Sequence, residues 1–392
     1  MTLQLRSTLA ALLVSSLVMG CGGGGGGSPP TDVVLDESYY TNKYGYAEED
    51  SFLGRGLNMG NYLEADATTQ CPAGEGCWTN GRTIDEEQDF EDIKAAGFKS
   101  VRIPIRWSDH AATTAPYTID TAWMNRVRAV VEGAIAADLI VVINTHHYVE
   151  MMEQPGNLAT HRARLAAIWD QISEAFPVSS YPADALVFEL LNEPNGAVGY
   201  TQWNQIIAQL TGVIWTDNAA TQTGRKIMVG TANWGGPTGL ANLTLPGACN
   251  PTNTIITIHW YEPFHFTHQG ADWVNPPGSA DAWIGTIWRG TAAEQQPLLD
   301  LYESVEDWNA DQALPYEVFV GEFGVYGEYA GAAYRKAWTA FIAREAEARG
   351  WSWGYWEYDQ SFGAYDRANT RWRPEIIEAL IPVEAEPPPP VE

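Results

Sequence analysis

From about residue 51 to residue 382 the chain repeats one pattern. A short apolar run is followed by polar punctuation and then by a stretch whose apolar residues recur at helical spacing. The runs are SVRIPI, LIVVINT, ALVFELL, KIMVG, TIITIHW, EVFVG and WSWGYW, preceded by a weaker FLGRGLNMG. They are short and rich in Val and Ile, as buried parallel strands are. Residues 85–96 carry Phe90, Ile93 and Ala96 on one helical face and end at Gly97, a helix-stop signal. Similar stretches cover 123–137, 159–176, 201–215, 292–308 and 332–349. Strand and helix alternating eight times predict an α/β fold, a single (β/α)8 TIM barrel over residues 41–382. A doubly wound open sheet is the alternative. No period of repeat-protein length appears, which excludes a solenoid.

In such a barrel the chemistry sits at the C-terminal ends of the strands. The second run contains Arg102, and the third ends Thr145-His146-His147-Tyr148. The fourth ends Asn192-Glu193-Pro194-Asn195, and the sixth His259-Trp260-Tyr261-Glu262. The seventh and eighth end in Gly321-Glu322-Phe323-Gly324 and Trp356-Glu357-Tyr358. A carboxylate directly after a buried apolar run is costly unless it has work there. The fourth and seventh strands are three apart in an eight-membered ring, so Glu193 and Glu322 can face each other across the mouth. Two facing carboxylates among aromatics and histidines suit glycosidic-bond cleavage. The competing reading, that each caps a following helix, suits one glutamate better than the pair.

Other motifs lead nowhere. His146-His147 invites a metal, but adjacent strand residues point to opposite faces and no H-E-x-x-H occurs. No metal or cofactor is therefore expected. Gly54-Arg-Gly56-Leu-Asn-Met-Gly60 misses the dinucleotide spacing by one residue and shows no clear helix start after it. Gly350-Trp-Ser352-Trp-Gly354 matches a serine-esterase motif, but it lies within a predicted strand and the last histidine, His268, precedes it.

The chain of 392 residues carries a formal charge of −27. A surface this acidic repels nucleic acid and anionic lipid, so neither is an expected partner. With 45% hydrophobic and 12% aromatic residues, wholesale disorder is excluded. The acidity reads as solubility or as adaptation to salty water, where screening relieves self-repulsion.

Arg6 and the apolar run 9–19 read as a secretory signal over residues 1–20, too short to span a bilayer. Val18-Met19-Gly20-Cys21 resembles a bacterial lipobox, which implies cleavage before Cys21 and lipid on its thiol. Residues 21–40 form a Gly/Pro-rich linker and 383–392 a Pro/Glu-rich tail. The expected location is an outer-membrane lipoprotein facing periplasm or cell surface, otherwise a secreted protein, and the expected state a monomer. Cys71, Cys77 and Cys249 allow three pairings; the short turn-rich segment between Cys71 and Cys77 favours that pair.

Over nearly all of residues 51–382 the chain resembles glycoside hydrolase family 5. LLNEPN and VGEFG are similar to the family's acid/base and nucleophile segments, with Arg102, His146, His259-Trp260-Tyr261 and Trp356 in the same chain order. The resemblance implies Glu193 as general acid/base, Glu322 as nucleophile, and Asn192 on the sugar 2-hydroxyl. IHWYEPFHFTHQGADW resembles members acting on β-1,4-glucans and mannans and implicates His268 and Trp273. GNYLEA points likewise to Asn61 and Glu64, while His147, His259 and Tyr261 complete the implied binding set. The cysteine-bearing loop 65–83 and the insertion at 235–253 depart from the family pattern.

Those roles make demands. Glu193 must be protonated near neutral pH, and Glu322 must stay ionised, with Arg102 favouring that form. Of the 17 tryptophans, Trp169, Trp215 and Trp338 on helical stretches read as core. Trp260, Trp273 and Trp356 read as sugar platforms. The implied activity is retaining, endo-acting hydrolysis of a β-1,4-glucan. Alternatives are a β-mannanase and, outside catalysis, a lipid-anchored sugar-binding protein.

Overall fold

The computed structural model describes residues 51–154 and 156–382. The predicted signal, Cys21, the linker, residues 41–50 and the tail 383–392 lie outside the described residues.

Eight parallel strands close into a barrel: β1 (Arg55–Asn58), β2 (Ser100–Ile103), β3 (Ile140–Asn144), β4 (Leu186–Glu189), β5 (Ile227–Val229), β6 (Thr254–Trp260), β7 (Glu317–Phe323) and β8 (Ser352–Tyr355). Pairing of β8 with β1 completes the ring. The main outer helices are α1 (Gln88–Ala95), α2 (Thr121–Ala136), α3 (Leu158–Ala175), α4 (Tyr200–Gly212), α5 (Ala292–Ala310), α6 (Ala332–Ala348) and α7 (Pro374–Leu380). A two-stranded ribbon, β9 (Tyr365–Asp366) with β10 (Arg371–Trp372), precedes α7.

The expected alternation fails at one crossover. Between β5 and β6 the described chain forms a 3-10 segment, Pro237–Asn242, in place of a full helix. Gly235, Gly236, Pro237, Gly239, Pro246, Gly247 and Pro251 explain this, since glycine and proline penalise a helix interior. Where caps exist the helices obey them: Asp120 accepts from the Trp123 amide at the start of α2, and Thr291 with Glu294 forms a reciprocal capping box on α5.

Strand alternation sorts the core into two layers. Val142, Val187, Met228, Ile255 and Phe319 point inward with Leu53 and fill the barrel. Val141, Ile143, Leu186, Phe188, Ile256 and Ile258 point outward and pack the helices. The same two-residue period puts Asn58, Arg102, Asn144, Glu189 and His259 into the barrel interior towards its C-terminal end, and a register shift after Val320 in β7, where His259 pairs with Glu322, turns Glu322 inward beside them. All six are buried. Above the apolar filling the barrel is therefore lined with polar and charged groups.

Candidate active site

Arg102 organises that layer. Its Nε and Nη2 engage both oxygens of Glu189, at 2.6 and 2.9 Å. Nη2 also donates to Asn192 Oδ1 at 2.7 Å, and Nη1 donates to Asn58 Oδ1 at 2.9 Å and Glu322 Oε1 at 2.7 Å. All five guanidinium N–H groups are thus used, the condition under which a buried charge is tolerable. Asn58 is held in turn by donating to the carbonyls of Gly321 and Gly354, at 2.9 and 3.1 Å. A Cβ on residue 354 would come 3.2 Å from the Asn58 amide nitrogen, so glycine lets these strands close around it.

Glu322 accepts from Arg102 through one oxygen and from the Tyr261 hydroxyl, at 3.1 Å, through the other. Burial raises its carboxyl above the ordinary glutamate range, while His259 and Arg102 pull the other way. Glu193 faces it. His259 Nδ1 lies 2.6 Å from Glu193 Oε1 and 3.6 Å from Glu322 Oε2. Burial alone would lower the imidazole; the charges of Glu322 and Glu193, and the Glu193 hydrogen bond, raise it instead. One donor atom from each of Glu193, His259 and Glu322 falls within 4.8 Å of the others. That trio is the set among the described residues that could hold a cation, and a cation there would occupy both carboxylates.

The pair opens onto a cleft of about 1750 Å³. Asn61, His146, His147, Asn192, Glu193, His259, Tyr261, His268, Trp273, Glu322 and Trp356 all line it. Asn192 Oδ1 accepts from Arg102, which leaves the side-chain amide nitrogen to donate to a ligand. His146 is fixed through Nδ1 by Asn144, at 3.1 Å, and stacks on Trp356 at 6.0 Å. Burial lowers His146 well below the usual imidazole value and takes His147 and His268 down to about 3. At neutral pH these three rings are uncharged hydrogen-bonding groups, suited to hydroxyls rather than to anions.

Four expectations need correction. Arg102 and Glu64 were expected to bind substrate, but both are buried and neither lines the cleft. Arg102 acts through Glu322 and Asn192, and Glu64 accepts from the backbone amide of Asn61. Trp260 is no platform: strand alternation turns it outward from His259, and it is buried against Tyr302 with centroids 4.2 Å apart. His146 and His147 do not diverge. β3 ends at Asn144, and His147 has a left-handed backbone (φ 49°) that brings both rings to the cleft, 4.2 Å apart. The disulfide expectation holds: Cys71 is joined to Cys77, and Cys249 is a buried free thiol.

The sequence reading passed over Glu189, Trp78, Trp234, Phe264 and Phe362. Two-residue alternation from Val187 would have found Glu189. Trp78, Trp234 and Phe362 stand on loops where no period operates, and Phe264 begins a helix of four residues, Phe264–Thr267, too short to show one. Trp78, Trp234 and Phe264 are 41%, 48% and 37% exposed on the cleft wall. Ser352 of the esterase-like motif is buried in β8, accepting from the Gly54 amide at 3.0 Å, away from the cleft.

A (β/α)8 barrel whose C-terminal mouth sets two glutamates against each other in an aromatic-lined cleft defines a glycoside hydrolase. The family model described as Cellulase (glycosyl hydrolase family 5) matches residues 62–361, and the chain belongs to that family. It is 32% identical over 336 residues to Endoglucanase H of Acetivibrio thermocellus, covering 84% of this chain and 33% of that protein. With Endoglucanase B of Clostridium cellulovorans it shares 30% identity over 350 residues, covering 83% and 73%. The chain thus spans about a third of the first relative's length and about three quarters of the second's. Endoglucanase Cel5A from the hyperthermophilic Thermotoga maritima superposes with a TM-score of 0.75 at 40% identity, over 85% of this chain and 98% of that one. That enzyme has also been solved with cellobiose and with mannotriose.

Proposed function

We propose that this protein is a retaining, endo-acting glycosidase that hydrolyses β-1,4-glucan. The observation that carries the reading is the carboxylate pair, with an oxygen of Glu193 within 4.8 Å of one of Glu322. Retaining enzymes hold their carboxyls about 5–5.5 Å apart, whereas inverting ones need roughly 6.5–9.5 Å for an intervening water.

Glu322 attacks the anomeric carbon as Glu193 passes a proton to the departing glycosidic oxygen, leaving a glycosyl ester on Glu322. Glu193 then takes a proton from water, whose oxygen displaces the ester, and both carboxyls return to their starting states. Arg102 and Tyr261 orient Glu322 from opposite oxygens, so its attacking lone pair has one place to go. His259 holds Glu193 on its second side. Asn192 donates to the hydroxyl beside the reacting carbon. The neutral His146, His147 and His268, with Asn61, serve neighbouring hydroxyls, while Trp356 and Trp273 stack on sugar faces.

Reducing-sugar release on carboxymethyl-cellulose, mixed-linkage glucan, mannan, xylan and xyloglucan tests the substrate, and proton NMR of the first product tests retention. An inverted anomer sinks the mechanism; silence on all five polymers favours a sugar-binding protein. A second reading, β-mannanase, is supported by the mannotriose complex of Thermotoga maritima Cel5A, and mannan release exceeding glucan release would establish it.

Export with lipid on Cys21 is part of the same proposal, tested by metabolic labelling with a fatty acid before and after Cys21→Ala. Residues 41–382 are proposed as one catalytic unit, active as a monomer, which light scattering of the active enzyme would check. The charge of −27 supports salt tolerance: activity is expected to persist in molar NaCl, and steep loss with the fold intact refutes it.

A further inference from the structure

Between β1 and α1 the loop 65–83 is closed on itself by the Cys71–Cys77 disulfide. The residue directly after Cys77 is Trp78, 41% exposed on the cleft wall. Its ring meets His147 edge-on at 5.8 Å. Rings continue inward from there, His147 to His146 at 4.2 Å and His146 to Trp356 at 6.0 Å. The row thus joins the rim above β1–β3 to the wall beside the carboxylates. Trp273, on the loop after β6, stands on the other side of the mouth.

The loop is docked to the barrel. Glu75 grips Arg126 of α2 through both oxygens, at 2.7 and 2.8 Å, and accepts the Ile84 amide at 2.9 Å. The Ala67 amide donates to Asp109 at 2.9 Å, and within the loop Thr79 Oγ1 donates to the Arg82 carbonyl at 2.6 Å. Gly74, left-handed at φ 71°, packs so tightly that a Cβ would come 3.0 Å from His110 Nε2. Trp78 is therefore held in water by an ordered support. Arg106 lies 5.7 Å from its ring and has Asp109 at 3.7 Å, so the cation beside the platform is already matched. A flat apolar face with no uncompensated charge suits the C–H face of a neutral pyranose better than a uronate.

We propose that Trp78 is a distal subsite, stacking on a sugar of the bound glucan several residues from the scissile bond, with the Cys71–Cys77 cross-link holding the platform. This rests on the glycanase reading above. The test is kcat/KM on cellotriose through cellohexaose for wild type, Trp78→Ala, Trp78→Phe and a Cys71→Ser/Cys77→Ser double variant. For Trp78→Ala the loss is expected to grow with chain length, reaching about tenfold on cellohexaose and falling mainly on KM. Trp78→Phe recovers most of it, and the double variant shows the same trend at about threefold. Loss equal at every length, or no loss at any length, overturns the subsite; a double variant matching wild type throughout overturns the role of the cross-link. If Trp78→Ala does not fold, Trp78→Phe and Trp78→Gln compared along the same series give the same reading. Wild type inert on every cello-oligosaccharide is a failure of the glucanase reading instead, and the same series in manno-oligosaccharides then decides for Trp78.

Discussion

Arg102 at the floor of the cleft is buried with every donor engaged, whereas Trp273 at its rim is 48% exposed and meets Tyr326 and His268 through ring edges, at 5.0 and 6.4 Å. The floor is built on strands, where alternation aims each side chain and neighbouring strands lock it. The rim is built on loops, where aromatic area is left in water for a ligand to cover. A reacting centre needs its atoms fixed to a fraction of an ångström, because misplacement erases the advantage of a bound geometry. A polymer track needs area, and stacking tolerates small displacements. Damage to the floor should therefore act on kcat or on the fold, and damage to the rim on KM.

The largest expected effect sharpens that contrast. Glu322→Gln should lower kcat on the order of 10⁴-fold while circular dichroism and binding persist. Activity surviving in that variant would move the nucleophile elsewhere. Arg102→Ala comes next and strikes fold and function together. It leaves Glu189 buried without its partner, which should cost about 3–5 kcal/mol in a chemical denaturation series. A variant as stable as wild type would show that the floor is not held together through Arg102. Trp273→Ala should keep the wild-type melting temperature and raise KM about tenfold with little change in kcat; a fall in kcat alone would break the distinction between floor and rim.

The last expected effect leaves activity aside and probes the layer beneath. Burial raises Glu64 to about 8, so folding favours its protonated form. Its contribution to stability is full below the ordinary glutamate value and is lost as pH rises towards about 8, at roughly 1.4 kcal/mol per pH unit. Glu64→Gln should therefore flatten the decline of melting temperature between pH 5 and 8. An unaltered slope would mean that Glu64 is ionised in the fold.

Much of the floor was readable in the chain. TIITIHW and EVFVG appear as β6 and β7, and the glutamates at the ends of the fourth and seventh runs do face each other. Local period located the strands and their ends, but the aim of each glutamate came from elsewhere: a register shift in β7 turns Glu322 inward, and Glu193 follows the end of β4 with a left-handed backbone, φ 44°. The β5–β6 crossover was misread because barrel closure requires only that the chain return to the next strand, and a glycine- and proline-rich segment can do so without a helix. The failures over Arg102, Glu64 and Trp260 share one cause. Each residue sits beside the site in sequence, but depth along the barrel axis and the face of the strand decide what its side chain can meet: Arg102 and Glu64 lie beneath the cleft, and Trp260 borders it with its ring buried against Tyr302.

The sequence by itself determined the barrel and the two opposed glutamates and favoured the Cys71–Cys77 pairing among three, since periodicity, strand count and short-range closure are local properties. Only the tertiary structure decided that Arg102 spends all its donors on Glu189, Asn192, Asn58 and Glu322, and that His147 turns to join His146. It also decided that Trp78 belongs to the cleft. Those outcomes depend on which groups meet across strands far apart in the chain, and on loops whose course is set by what they dock against, neither of which any local pattern encodes.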